Sequence, residues 1–206
     1  MRQFDVDRMV APEEPAVVAM LSRAFYDDPL FGYFVPNLVH QTKGLLGFMH
    51  GAVKDAQPFG EVWVAHTDDK VAAAAVWLPP GGYPRSPKRE VLTNVRAVPA
   101  FTHARGRVRE SLKLLAAVDK AHKDVESPHF YLAVLGSDPL FQRVGAGSAA
   151  LAPVLARCDE EQLPAYLETQ KEANLAYYAR HRFEVVRKLE IGPCPPVWTL
   201  LREPAT

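Results

Sequence analysis

The stretch Leu132-Ala-Val-Leu-Gly136-Ser-Asp-Pro-Leu-Phe-Gln142-Arg-Val-Gly145-Ala-Gly147-Ser148 constrains this chain more than any other part of it. A β-rich run ends at a glycine, a loop over 136–144 follows, and a helix is expected from Gly145 to about Asp159. The first amides of a helix have no partner inside it, and the helix dipole places positive potential at the same point. Gly145 and Gly147 carry no β-carbon, so the backbone there can close on an anion. The unit predicts a phosphate site at a strand-to-helix turn; the plainer alternative is a glycine turn that only joins the two elements. Pro153 falls inside the expected helix and removes one of its hydrogen bonds.

The flanking chain supplies a sheet and more helices. Val17, Met20, Leu21, Ala24 and Phe25 share one helical face after Pro12 and Pro15, and Pro29 is expected to stop that helix. Leu45, Phe48, Met49, Ala52 and Val53 mark a second helix in spite of Gly44, Gly47 and Gly51. Residues 61–65 and 71–78 read as a hairpin that reverses at Thr67-Asp68-Asp69. After Pro79-Pro80-Gly81-Gly82, a long helical segment is expected over about 87–126, with Val108, Leu112, Leu115 and Val118 on one side. Strands at 131–135, 165–168, 183–189 and 197–201, with a short helix at 174–180, complete the pattern. Strands alternating with helices imply helices packed on a sheet, here as one α/β domain over 1–206.

Composition narrows the partners. Lysine plus arginine number 24 and aspartate plus glutamate 24, so no overall field draws the chain to nucleic acid or to an anionic membrane. The longest apolar run, 71–78, is too short to cross a bilayer, and the first ten residues lack the apolar core of a secretory signal. Cys158 and Cys194 form no framework of bridges and have no histidine and acid at a telling spacing, so neither a metal nor thiol catalysis is expected. A cytoplasmic protein, monomer or homodimer, is the expectation. The basic residues Lys88, Arg89, Arg96, Arg105, Arg107 and Arg109 read as a solvated helix face.

Gln142-Arg-Val-Gly145-Ala-Gly147 resembles the pyrophosphate loop of the GNAT superfamily of N-acetyltransferases, Gln/Arg-x-x-Gly-x-Gly/Ala. The later pattern of that family, Asn-x-x-x-Tyr-x-x-x-Gly-Phe, is met at Asn174, Tyr178 and Phe183, with Arg182 where glycine is usual. Within the family, Glu61-Val-Trp-Val-Ala, Ala75-Val-Trp77, Leu167-Glu-Thr and Pro-Val-Trp198 are similar in order to the puromycin N-acetyltransferase-like branch. The resemblance implies a mixed, mostly antiparallel sheet with helices on both faces and with strands four and five splayed apart. It implies acetyl coenzyme A as cosubstrate, its pantetheine arm along Val134, Leu135 and Gly136, and its pyrophosphate on Gln142, Arg143, Val144, Gly145, Ala146, Gly147 and Ser148, with Asn174 and Tyr178 nearby. The reaction it implies is direct acetyl transfer to an amine of a small molecule.

That reaction needs a neutral amine and a protonated leaving thiol. Tyr178 is the candidate general acid, since a phenol with a pKa of about 10 still holds its proton at neutral pH. Spacing from Asn174 and Phe183 selects it over Tyr177. Glu168, at a strand end beside the expected splay, is the candidate general base; His129, His181 and a chain of waters stand beside it. Phe25, Tyr26, Asp27, Asp28 and Phe31 follow the first helix and offer aromatic walls with carboxylates for an amino-bearing acceptor. Two rivals remain at this level. A module could keep the fold and bind coenzyme without turnover. Gly145-Ala-Gly147-Ser-Ala-Ala150 also satisfies a dinucleotide fingerprint, but those glycines stand too far from the strand, and too little chain follows Glu168 for the remaining parallel strands.

Overall fold

The computed structural model describes residues 3–68, 70–95 and 107–205. Pro12 and Pro15 sit in the first turns of a 3-10 segment and of helix α1 (Glu14–Ala24), where a missing amide costs nothing. Pro29 does more than stop α1: with Asp28 as its cap it opens a short helix, α2 (Pro29–Phe34), that hydrophobic periodicity over six residues could not reveal. Helix α3 (Leu38–Ala56) starts at the Asn37 cap and runs through Gly44, Gly47 and Gly51, longer at both ends than its apolar face suggests.

A short strand, β1 (Asp5–Arg8), also escaped the sequence pattern, because an exposed edge strand of Asp-Val-Asp-Arg has no apolar alternation to read. The hairpin is β2 (Val62–Thr67) and β3 (Lys70–Leu78), with Asp68 in the left-handed conformation at the turn; Asp69 lies outside the described residues. The segment expected over 87–126 resolves into α4 (Pro87–Asn94) and α5 (Val108–Lys123), and residues 96–106, including Arg96 and Arg105, lie outside the description. Helix α5 corrects the expected face: Val108, Leu112 and Leu115 are exposed, and Ser111, Leu114, Ala121 and His122 are the buried positions. The basic run is also partnered in part, with Arg89 on Asp55 and Arg107 on the Tyr33 carbonyl.

The remaining elements are β4 (Phe130–Ser137), α6 (Ala146–Glu160, running through Pro153), β5 (Ala165–Thr169), α7 (Leu175–Ala179), β6 (Glu184–Leu189) and β7 (Val197–Arg202). Seven strands form one sheet in the order β1-β2-β3-β4-β5-β7-β6, antiparallel throughout except for β4 with β5. A sheet of this pairing is not the parallel, doubly wound sheet that a dinucleotide fold requires. Both faces are covered. Trp77, Phe130, Leu132, Leu151, Val154 and Leu167 pack α6 on one side, while Met20, Leu21, Met49, Val53, Val64 and Val76 pack α1 and α3 on the other. The mixed sheet with helices on both faces is the architecture expected above. Among the described residues no helix is long and apolar enough to cross a membrane.

Candidate active site

The sheet is closed at one end of β4 and open at the other. β4 pairs with β5 only at Phe130–Ala165, Tyr131–Tyr166 and Leu132–Leu167. Beyond Leu132, β4 follows β3, whereas Glu168 and Thr169 of β5 pair with Thr199 and Trp198 of β7. A bulge helps the parting: Val76 faces Val134 and Trp77 faces Leu132, which leaves Ala133 as the extra residue. Strands four and five are therefore splayed, and the edge of β4 past Leu132 offers backbone donors and acceptors to whatever enters. The wedge opens into a cleft of about 1630 Å³ lined by Val134, Leu135 and Gly136 on one wall and by Glu168, Thr169 and Asn174 on the other. Gly136 serves the fold as well, since a β-carbon there would lie 2.8 Å from Leu21 Cδ2 and 3.0 Å from Ala24 Cβ.

One end of the cleft is built from main chain. Gly145 caps α6 with φ 98°, a left-handed value that side chains resist, and Arg143 before it holds φ 62°. Gln142, Arg143, Gly145, Ala146, Gly147 and Ser148 all line the cleft; Val144, 41% exposed, stands outside that lining. Asp138 fixes the loop. Its Oδ2 accepts from Arg23 Nε at 3.1 Å and Nη2 at 2.6 Å, its Oδ1 accepts from the Leu140 amide at 3.0 Å, and its own amide donates to the Ala72 carbonyl at 2.9 Å. Partial burial pushes that carboxyl up, but the Arg23 guanidinium and the Leu140 amide outweigh it and hold the group below the usual range. Sequence alone could not single out Asp138, because its role depends on a residue in α1 far away in the chain.

Across the cleft, Asn174 Nδ2 donates to Thr169 Oγ1 at 3.3 Å, and α7 delivers both tyrosines. The Tyr177 hydroxyl accepts from Ser148 Oγ at 3.5 Å, while Ser148 Oγ also meets His181 Nε2 at 2.9 Å. Tyr178 is buried against Phe183, lines the cleft, and has no side-chain hydrogen bond among the described residues. Burial, with a smaller contribution from Tyr177, pushes its phenol above the ordinary value, so it keeps its proton at any working pH. Arg182, standing where the family pattern has glycine, takes φ 67° and supplies the left-handed turn all the same.

The other end of the cleft is built from side chains of four elements. Glu168 is 7% exposed, its Oε1 is buried without a hydrogen-bond partner, and burial raises its carboxyl to about 7. The Tyr131 and Tyr166 hydroxyls and the Arg85 guanidinium oppose that rise. His122 Nδ1 lies 3.7 Å from Glu168 Oε1, and its ring stacks on Tyr83 at 3.8 Å and on Tyr166 at 4.4 Å. Tyr83, held by a hydrogen bond to Asp119, is pushed above the ordinary phenol range by burial and by that carboxylate. Sequence reasoning missed Tyr83, Arg85, Asp119, His122, Tyr131 and Tyr166; the one available signal was the pair Tyr131 and Tyr166 at matched positions of the two strands that part.

Among the residues expected around the acceptor, Phe25, Asp27, Asp28 and Phe31 line the cleft, and Tyr26, 47% exposed, lies outside that lining. Asp28 Oδ1 caps α2 by accepting from the Leu30 and Phe31 amides at 2.9 and 3.1 Å, and Asp27 Oδ1 accepts from Lys171 Nζ at 2.6 Å. His181 binds Ser148 at the main-chain end, not near Glu168. Cys158 is buried, which pushes its thiol up to about 12, and this removes it as a nucleophile.

Solved structures share this fold over nearly the whole chain. The chain is similar to a histone acetyltransferase HPA2 and related acetyltransferase from Corynebacterium glutamicum, with a TM-score of 0.71 at 20% identity, covering 100% of this chain and 98% of that one. The chain has the GNAT acetyltransferase fold. A polyamine N-acetyltransferase from Drosophila melanogaster that forms N-acetylagmatine gives a TM-score of 0.64 at 17% identity, covering 98% of this chain and 100% of that one. The C-terminal condensation domain of Ebony, solved with β-alanyl-dopamine, gives 0.69 at 9% identity over 98% and 100% of the two chains. No protein-family model matches the chain. Identities this low speak for the GNAT fold, and the chemistry has to be argued from the site.

Proposed function

We propose that this protein is an N-acetyltransferase of the GNAT superfamily that moves an acetyl group from acetyl coenzyme A to an amine of a small molecule, by direct transfer. The observation that carries the reading is one cleft whose lining holds an unpaired β4 edge, the glycine-capped start of α6, the Tyr178 phenol and the Glu168 carboxyl, whose Oε1 is buried without a partner. The residues present fit the coenzyme. An extended amide-bearing arm suits the open edge at Val134 to Gly136, and a diphosphate suits the amides from Arg143 to Ser148.

Acetyl coenzyme A supplies the activated thioester. In this reading Glu168, raised to about 7, takes a proton from an ammonium group near neutral pH, and Tyr178 gives its Oη proton to the departing sulfur. Phe25, Phe31 and Asp28 bound the acceptor side. The motifs Glu61-Val-Trp-Val-Ala and Leu167-Glu-Thr favour the puromycin N-acetyltransferase-like branch without fixing the acceptor.

Coenzyme A release, measured with acetyl coenzyme A and a panel of primary amines, tests the proposal: release that depends on both substrates is expected. Thermal stabilisation by acetyl coenzyme A without release would make the chain a binding module. No stabilisation by that ligand would remove the anion site from the argument altogether.

A further inference from the structure

Phe31, Phe48, Tyr83 and Tyr131 line the cleft, and the core on the α1 and α3 side covers each of them in part. Phe31 meets Phe48 edge to face at 5.3 Å, and Tyr83 meets Tyr131 in the same manner at 5.6 Å. Rings held by one another present a preformed apolar wall. Leu115 and Val118 of α5 line the same cleft and add aliphatic surface. The carboxylates among the described residues of the lining are mostly answered by the protein itself. Asp27 Oδ1 accepts from Lys171 Nζ at 2.6 Å, and Asp119 Oδ2 from Lys123 Nζ at 2.7 Å. Glu90 Oε1 accepts from Asn94 Nδ2 at 2.8 Å, and its Oε2 lies 3.9 Å from Arg85 Nη1. Asp28 Oδ1 holds two α2 amides, and Lys171 attracts the same carboxyl. Glu168 differs from them: its Oε1 is buried without a hydrogen-bond partner, and the His122 ring that faces it is kept neutral by burial.

From this distribution we propose that the acceptor is a primary monoamine with an uncharged, apolar body, whose amino group goes to Glu168 and whose ring or hydrocarbon goes to the wall of Phe31, Phe48 and Tyr83. The amine arrives as a cation, and Glu168 Oε1 can receive it without giving up a hydrogen bond within the protein. A second cationic group, such as the guanidinium of agmatine or the further amines of spermidine, would leave water for a cleft whose other carboxylates are engaged. A buried charge without a partner is costly. A cation–π contact with the aromatic wall returns part of that loss, whereas an apolar body incurs none of it and gains by leaving water. Phe31, in the first turn of α2 with its amide fixed by Asp28, is thereby a specificity-determining residue.

This inference rests on the acetyl-transfer reading and narrows its acceptor. The test is coenzyme A release from acetyl coenzyme A with phenethylamine, cyclohexylethylamine, agmatine and spermidine in turn. For wild type, kcat/KM with the first two is expected to exceed that with the last two about a hundred-fold. Phe31→Glu places a carboxylate in the wall, where the first turn of a helix accepts one. It is expected to cut kcat/KM for phenethylamine about ten-fold and to raise that for agmatine. Phe31→Gln has the same length without the charge, and should lose phenethylamine likewise and gain nothing with agmatine. The wild-type ranking decides the class by itself if either variant fails to fold. Agmatine or spermidine turned over by wild type as well as phenethylamine would overturn the monoamine class and leave acetyl transfer standing. So would a Phe31→Glu variant that keeps the wild-type KM for acetyl coenzyme A and the wild-type ranking of amines. Thermal stabilisation by acetyl coenzyme A with no release for any amine would overturn acetyl transfer itself, and the acceptor class with it.

Discussion

The two ends of the cleft are made of different material. At the α6 end the working groups are backbone amides, set by a left-handed Gly145 and by one carboxylate, Asp138, that ties the loop to α1. At the Glu168 end they are side chains from β4, β5, α5 and the loop at Tyr83 and Arg85, several with pKa values displaced by burial. Main chain is indifferent to most substitutions and tolerates neighbours, so that end can serve one constant ligand. A cluster of buried ionisable groups is costly to assemble and sensitive to each member, which is what proton transfer demands and what stability pays for. Substitutions at the first end are expected to change affinity, and those at the second to change turnover and pH response.

The largest effect is expected at Glu168. Glu168→Gln, which removes the proposed base, should lower kcat a hundred-fold or more. In wild type, kcat/KM should rise with pH through about 7, where the carboxyl ionises under the influence of Tyr131, Tyr166, Arg85, Tyr83 and the facing His122, and the rise should vanish in the variant. Stability should move the other way. A carboxyl raised to about 7 in the fold favours folding below its ordinary value of about 4.5, and that contribution is lost as pH climbs through about 7. Above neutrality the buried charge costs at most about 3 kcal/mol, so Glu168→Gln should melt higher than wild type there and no higher below about pH 4.5. Melting curves across pH check this, and a variant that gains nothing at pH 8 would mean that the Glu168 carboxyl is solvated and titrates without a shift.

Tyr178→Phe sharpens the contrast within one helix turn. Loss of the phenol proton should reduce kcat about a hundred-fold while coenzyme affinity holds, whereas Tyr177→Phe, which removes the partner of Ser148, should act on affinity and leave kcat within about two-fold. Equal losses of kcat and affinity in Tyr178→Phe would make it a structural residue.

What could be read in the sequence follows the same division. The strand, loop and helix of the α6 end lie in one continuous stretch, so glycine spacing and periodicity suffice to place them. Tyr178 could be chosen because Asn174 and Phe183 flank it at fixed distances in the chain. The Glu168 end has no such continuity: Tyr83, His122 and Tyr166 meet only because the hairpin exit, α5 and β5 converge, and each looks like an ordinary core aromatic or surface histidine in isolation. Strand β1 and helix α2 were illegible for a simpler reason, being too short or too exposed to carry an apolar period. The exposed side of α5 shows the converse error, for Val108, Leu112 and Leu115 keep helical spacing without facing the core.

At the α6 end, Gly145→Ala should raise the KM for acetyl coenzyme A about ten-fold with kcat unchanged. Nothing lies within 4 Å of the new β-carbon, so the penalty is the left-handed φ of 98° alone, about 1–2 kcal/mol. The loop residues from Gln142 to Val144 are exposed and free to relax when no ligand is present, so the strain is paid on binding and is read as affinity, not as melting temperature. A fall in kcat at constant KM would contradict the assignment of this end to the coenzyme.

The smallest effect belongs to Arg182, where the chain departs from the family pattern yet keeps its geometry. The residue holds φ 67° because Arg182 and Phe183 donate their amides to Ala179 and Tyr178 at 2.9 and 3.1 Å, closing α7. Its side chain gives back a long contact of 3.5 Å to the Pro204 carbonyl and a weak attraction to the Asp159 carboxylate. Glycine would remove a left-handed penalty of about 1 kcal/mol and lose part of that gain to its freer unfolded chain, so Arg182→Gly should stabilise by roughly 0.5 kcal/mol. Because Tyr178 is set by the same turn, kcat should stay constant. A denaturant titration decides the first point, and a change in kcat without a change in stability would show that Arg182 itself reaches the chemistry, although it stands outside the cleft lining.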